Sequence, residues 1–274
     1  MAAIAVLTLA APGCAREDEP AQADYQGPSL AEPTGSPAIS RDGLVAAYDM
    51  DSGGDTGVLW DFGPHGHHGQ IFRNQVEPAV HGNARRFTST QDRVDLPEAE
   101  GFALDGPLTI AAWVRVDSLG LHQHIAACDD KWALWITPAN QFRLGDTRGG
   151  GWSTDEGRVR RGNWTSVVAV LRGSSGDALS PETVTLWVDG EPASAYAHLR
   201  SDEAQETGAW GPGDLYPNDA CSLGFESHQG NEAHQSMPFI GAVDDLLVFS
   251  RAWDDSEVRA FAGQTQSDPA GPDL

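Results

Sequence analysis

Hydrophobic and polar positions alternate with the two-residue period of β-strands through most of this chain between Gly43 and Gly263. In PLTIAAWVRVD, Leu108, Ile110, Ala112, Val114 and Val116 point one way, and Thr109, Trp113 and Arg115 the other. NWTSVVAVLRG is apolar at consecutive positions from Val167 to Leu171, which predicts a strand covered on both faces. GLVAAYDMD, HIAACDD, KWALWIT, NQFRLGD and CSLGFES predict further short strands. TVTLWVDGEPAS predicts a hairpin, because Asp189-Gly190 can supply the positive φ angles of a tight type I′ turn. The pattern ends in FIGAVDDLLVFSRAWDDSEVRAFA, an apolar strand interrupted by Asp244-Asp245 and followed by a short helical period. Asp254 and Glu257 have the spacing of a capping box, Val258 and Phe261 form a small apolar stripe, and Trp253 can dock on the sheet beneath. Regular strand signals with a single helix predict an all-β sandwich. Strict alternation also sends the side chains of Asp244 and Asp245 to opposite faces, where they cannot chelate together.

The flanks lack this pattern. Residues 15–42 form an acidic, Pro-rich tether, residues 43–263 the domain, and residues 264–274 a frayed tail. Cys14 follows an apolar run (Ala2 to Ala11) and Pro12-Gly13, and the segment resembles a bacterial lipoprotein signal that would lipidate Cys14. It departs from such signals in having no Lys or Arg before the run and Ala11 where Leu is usual. The run is too short to span a bilayer. The expected location is the bacterial cell envelope, lipid-anchored, or the medium. In an exported protein Cys128 and Cys221 read either as a disulfide between neighbouring strands or as two unrelated buried thiols.

Composition narrows the partners. Forty acidic residues against 17 Lys plus Arg give a net charge of −23, which excludes the basic footprint of a nucleic-acid binder. The same surplus supplies carboxylates for a hard cation, although most such groups simply face water.

Several ordered segments carry a family resemblance: the opening strand ending Tyr48-Asp49, the turn DFGPHGHHG, RRFTSTQDRVDLP, LTIAAWVRV, GNWTSVVAV, VTLWVDG and FIGAVDDLLVFSRAWDDSEV. Together, over Gly43 to Ala262, they resemble the LamG-like jellyroll domains of the concanavalin A-like lectin/glucanase superfamily. Trp187 and Trp253 stand where that family commonly has Tyr and Leu. The resemblance implies two antiparallel sheets packed face to face and a role in binding carbohydrate or protein. It also implies a structural calcium ion near Asp49 and Asp244, with Asp51 and Asp61 as secondary ligands. The loops at 145–162, 173–181 and 200–219 are particular to this chain and are where ligand preference would reside.

Other chemistry is thinly represented. His65, His67 and His68 tempt a zinc reading, but no Cys or His pair elsewhere has metal spacing; His122 and His124 read as surface residues. The Glu-x-Asp-x-x-Glu strand motif of the glucanases is absent, as are a G-x-S-x-G elbow and a phosphate loop. Trp113, Trp164 and Trp187 read as core, and Trp132 and Trp135 as either core or surface. Trp152 and Trp210, in polar Gly-rich runs, and Tyr216 are the candidate sugar platform. The expectation is a monomeric, non-catalytic binding module for a glycan or an extracellular protein. The alternatives are a carbohydrate-active enzyme using loop carboxylates such as Asp155, Glu156, Glu203 and Glu206, and a protein-binding adhesion or scaffold module.

Overall fold

The computed structural model describes residues 39–52, 57–96, 99–128, 131–145, 151–193, 195–198, 221–225 and 237–263. Its strands are, in order, β1 (Leu44–Tyr48), β2 (Val58–Leu59), β3 (Gly69–Phe72), β4 (Gln75–Pro78), β5 (Asn83–Phe87) and β6 (Arg93–Leu96). Next come β7 (Leu108–Val116), β8 (Gln123–Cys128), β9 (Trp132–Ile136), β10 (Phe142–Gly145), β11 (Gly151–Thr154) and β12 (Trp164–Leu171). The chain continues through β13 (Val184–Val188), β14 (Glu191–Pro192), β15 (Ala195–His198), β16 (Cys221–Leu223), β17 (Gly241–Phe249) and the helix α1 (Asp255–Gly263). One antiparallel sheet runs β14-β13-β12-β7-β17-β5-β4 with β1 also paired to β17; the other runs β15-β11-β10-β9-β8-β16-β6-β3-β2. They stack as a sandwich with the domain's first and last strands side by side.

The alternation seen in the sequence builds two cores. Leu108, Ile110, Ala112, Val114 and Val116 of β7 face the second sheet, among Leu134, Leu144 and Val167. The opposite face of the first sheet contributes Ala111, Trp113, Val168, Val170 and Leu247 to a smaller core closed by Trp253, Val258 and Phe261. This is why β12 is apolar on both faces: one side meets the other sheet and the second meets α1. The helix begins where the capping box places it. Asp254 Oδ1 accepts the Glu257 backbone N–H at 3.0 Å, and Glu257 Oε2 accepts that of Asp254 at 3.2 Å. Asp189 and Gly190 both have positive φ, at 53° and 75°, in the β13–β14 hairpin. Among the described residues no helix is long and apolar enough to cross a membrane.

Two expectations are corrected. Trp152 does not sit in a polar loop: it lies on β11, opposite Leu144 of β10, and is only 5% exposed within the main core. The glycines that read as loop are what let this strand approach, since a Cβ on Gly151 would lie 2.7 Å from the Leu144 carbonyl oxygen. Trp152 therefore offers no face to a sugar, while Trp210 and Tyr216 lie outside the described residues. His124 is not on the surface either; it is 3% exposed, with its ring edge-on to Trp135 at 5.2 Å.

Cys128 and Cys221 face each other in the register of β8 and β16 and are joined by a disulfide. Strand β16 has three residues and fills the place between β8 and β6, so the cross-link anchors a short strand 93 residues distant in sequence. Replacing both cysteines by alanine is expected to lower unfolding stability by about 2–5 kcal/mol, read from urea titration under non-reducing conditions.

Candidate metal centre

Strand β17 has β7 along one edge for its whole length, but two partners in succession on the other. Gly241 to Val243 pair with β5, and Leu246 to Phe249 pair with β1. Asp244 and Asp245 fall at the changeover. Across β7 the register passes from Asp244↔Trp113 to Leu247↔Ala111, so β17 carries one extra residue there, a β-bulge. Asp245 takes up the irregularity with a φ of 45°. Strict alternation therefore fails at this point, and the two carboxylates converge instead of pointing to opposite faces.

The gap between β1 and β5 is filled by the chain leaving one strand and entering the other. Met50, with φ 61°, turns the backbone after β1 and brings Asp49 and Asp51 to the gap. The Asp51 N–H donates to Asp49 Oδ1 at 3.0 Å. From the other side, His81 donates its backbone N–H to Asp244 Oδ2 at 2.9 Å, and its Nδ1 meets Asp245 Oδ2. Asn83 donates from its backbone and its side chain to Asp51 Oδ1, at 2.8 and 2.6 Å. Between them Gly82, at φ +59°, packs on the same carboxylate, and a Cβ there would lie 2.4 Å from Asp51 Oδ2.

Charge is the dominant fact of this cluster. Asp49, Asp244 and Asp245 are at most 1% exposed, Asp51 is half-buried, and the buried cation beside them is Arg85, whose Nε donates to the Met50 carbonyl at 3.1 Å. Burial, then the neighbouring Asp245 charge, pushes the Asp244 carboxyl up to about 9. Burial, then Asp49 and Asp51, holds Asp245 well above the ordinary carboxylate range. Asp51 is also raised by burial, against the opposing bonds from Asn83. Arg85 is lowered by burial, with Asp49 and Asp51 pulling the other way. Three carboxylate oxygens, Asp51 Oδ2, Asp244 Oδ1 and Asp245 Oδ1, are buried without a hydrogen-bond donor. Buried acceptors are normally satisfied, and orphaned anionic ones are costly. A divalent cation would supply what they lack, and ligand atoms of His81, Asp244 and Asp245 lie within 4.8 Å of one another.

The expected ligands divide accordingly. Of the expected ligands only Asp244 belongs to the converging trio; Asp49 and Asp51 lie beside it, near enough for their charges to act on Asp245, and Asp61 does not join it. Its Oδ1 accepts the N–H groups of Ala47 and Gly63 at 2.8 and 2.7 Å, and its Oδ2 that of His67 at 2.8 Å, so it organises the turn after β2. The histidines of that turn are likewise structural: His68 Nδ1 accepts the Asp61 N–H at 3.0 Å, and the His67 carbonyl accepts the Tyr48 hydroxyl at 2.5 Å. Sequence reasoning missed His81 and set Asp245 aside. The available signal was the Asp-Asp pair itself, because a regular strand would drive one of the two into the apolar core.

Residues 88–259 match the family model described as the concanavalin A-like lectin/glucanases superfamily. No curated protein sequence matches the chain. Among solved structures, the chain is similar to the binding domain of Paraclostridial Mosquitocidal Protein 1, with 14% identity, a TM-score of 0.57, and coverage of 81% of this chain and 52% of that one. Domain 4 of AbnA, an extracellular arabinanase from Geobacillus stearothermophilus solved with arabinotriose, has 18% identity, a TM-score of 0.52, and coverage of 80% and 98%. Trypanosoma rangeli sialidase with sialic acid has 16% identity, a TM-score of 0.56, and coverage of 92% and 37%. The chain thus spans about half the length of the mosquitocidal structure and over a third of the sialidase.

The raised carboxyls give a definite pH response in chelator-treated protein. With the Asp244 carboxyl pushed up to about 9, the folded state would hold a proton there between about pH 5 and pH 8 that the unfolded chain, titrating near its ordinary range, has released, and the raised Asp245 carboxyl acts in the same direction. Stability should therefore fall as pH rises across that window, by up to about 1.4 kcal/mol per pH unit for each proton held. Urea titrations at both ends of the window check this, and Asp244→Asn should flatten the slope.

Proposed function

The chain belongs to the concanavalin A-like lectin/glucanases superfamily, and from that premise we propose that it is a non-catalytic extracellular binding module for carbohydrate, with a structural calcium ion closing its sandwich. The observation that carries this reading is the set of donorless buried oxygens on Asp51, Asp244 and Asp245, where the first and last strands meet. Asp49, Asp51, Asp244 and Asp245 would hold the ion, which would neutralise them and tie β1, β5 and β17 together. Asp244 and Asp245 are fully buried, so no substrate reaches this carboxylate pair, which favours a structural over a catalytic role.

Support for carbohydrate comes from the fold shared with an arabinanase domain that was solved with arabinotriose. Among the described aromatics we take Trp60 as the candidate for a sugar. Its ring is part-exposed and edge-on to His68 at 4.5 Å, and its backbone N–H donates to Ser52 Oγ at 2.8 Å, next to Asp51 at the metal end. We place the protein at the bacterial cell envelope, held by a lipid on Cys14; that residue lies outside the described part of the chain.

Calcium should raise the melting temperature of chelator-stripped protein, and Asp244→Ala should abolish that rise; an undiminished response in the variant would remove Asp244 from the centre. On a glycan array, Trp60→Ala should lose at least about tenfold in affinity if its ring stacks on the sugar. Cys14→Ala should move the protein from the membrane to the soluble fraction, and continued membrane association would dispose of the lipid anchor.

A further inference from the structure

The cluster contains one donor that calcium does not seek. Its converging side chains are His81, Asp244 and Asp245. Calcium is bound through oxygen, whereas imidazole nitrogen is a favoured donor to first-row transition cations.

His81 is not a surface rotamer that happens to lie nearby. Its backbone N–H is committed to Asp244 Oδ2, and the following residue, Gly82, is held in a left-handed conformation against Asp51, where no other side chain fits. Those constraints aim the ring into the bulge, where Nδ1 meets the Asp245 carboxylate. Two fully buried residues beside it, Asp244 and Asp245, each turn an oxygen into the cluster that accepts no hydrogen bond. The ligand atoms of the three side chains lie within 4.8 Å of one another, close enough to converge on one ion once they draw in to bonding distance.

Resting on the reading of the cluster as a cation centre, we propose that His81 is a direct ligand through its ring nitrogen, and that the site holds a first-row transition cation, Mn2+ or Zn2+, more tightly than Ca2+. His81 binds as the neutral ring, while Asp244 and Asp245 bind as carboxylates whose two charges neutralise the ion. Asp51, outside the trio, has a further donorless oxygen nearby, and Arg85 offsets part of the remaining negative charge.

The test uses the full chain, stripped with a chelator and titrated calorimetrically with MnCl2, ZnCl2 and CaCl2, as wild type and as His81→Gln. The expected result is that Mn2+ or Zn2+ binds the wild type at least about tenfold more tightly than Ca2+. His81→Gln should erase that preference and keep Ca2+ binding. Pulsed electron paramagnetic resonance of the Mn2+ form should show imidazole nitrogen coupling that the variant lacks. Calcium binding as tight as that of either transition ion, or a wild-type Mn2+ spectrum without nitrogen coupling, would overturn the His81 assignment while leaving the calcium reading in place. Binding of none of the three ions would overturn both. Should His81→Gln fail to fold, the nitrogen coupling of the wild-type Mn2+ form decides alone.

Discussion

The pairing of β1 with β17 is the constraint on which the rest of the domain depends. Among the described residues strand β1 has no other partner in its sheet, and its register with β17 runs from Leu44↔Phe249 to Tyr48↔Leu246. Leu44 and Ala47 thereby enter the core beneath α1, and Val45, Ala46 and Tyr48 enter the core between the sheets. Closing the two ends of the domain against each other is a contact of high sequence separation, and its entropic cost is offset only if both faces are buried at once. Yet this junction is also where four carboxylates gather, with one guanidinium beside two of them, Asp49 and Asp51. Burial and neighbouring charge raise the Asp244 and Asp245 carboxyls, so without a cation closure must either keep them protonated or bear their repulsion. A bound cation would turn the same carboxylates into a cross-link among three strands.

Much of the architecture was legible in the chain because it follows from local rules. The alternation of β7 separates its residues between the two cores as read, and the consecutive apolar residues of β12 correspond to burial on both sides. The Asp189-Gly190 hairpin and the Asp254–Glu257 cap are equally local. Such features involve residues within a few positions of one another, where chain stereochemistry alone restricts the outcome.

The candidate site was legible only in part, because it depends on a departure from regularity. Alternation assigns Asp244 and Asp245 to opposite faces, and the observed bulge breaks that assignment. Val243 and Leu246 both belong to the core between the sheets, with Asp244 and Asp245 between them, so the extra residue restores alternation without sending a carboxylate inward. His81 was invisible for a different reason: it lies 163 residues from Asp244 and reaches it only because β5 and β1 share one edge of β17. Trp152 erred in the opposite sense. Its glycine-rich run reads as a loop, while the missing side chain of Gly151 is what admits close pairing of β11 with β10.

These observations bear on the division between scaffold and function. Burying Asp244 and Asp245 completely removes them from contact with any substrate and leaves charge balance as the problem they pose. Left-handed backbone at Met50, Gly82 and Asp245, three positions around one point, is unfavourable for two of these residues and persists only where surrounding contacts over-determine it. Those contacts are the hydrogen bonds among Asp49, Asp51, His81, Asn83 and Asp244, every one of which ends on a carboxylate oxygen. An ion at this point would therefore act on backbone geometry and on strand closure together. Part-exposed Trp60 lies at the same end of the domain, its backbone N–H donating to Ser52 Oγ, the residue after Asp51.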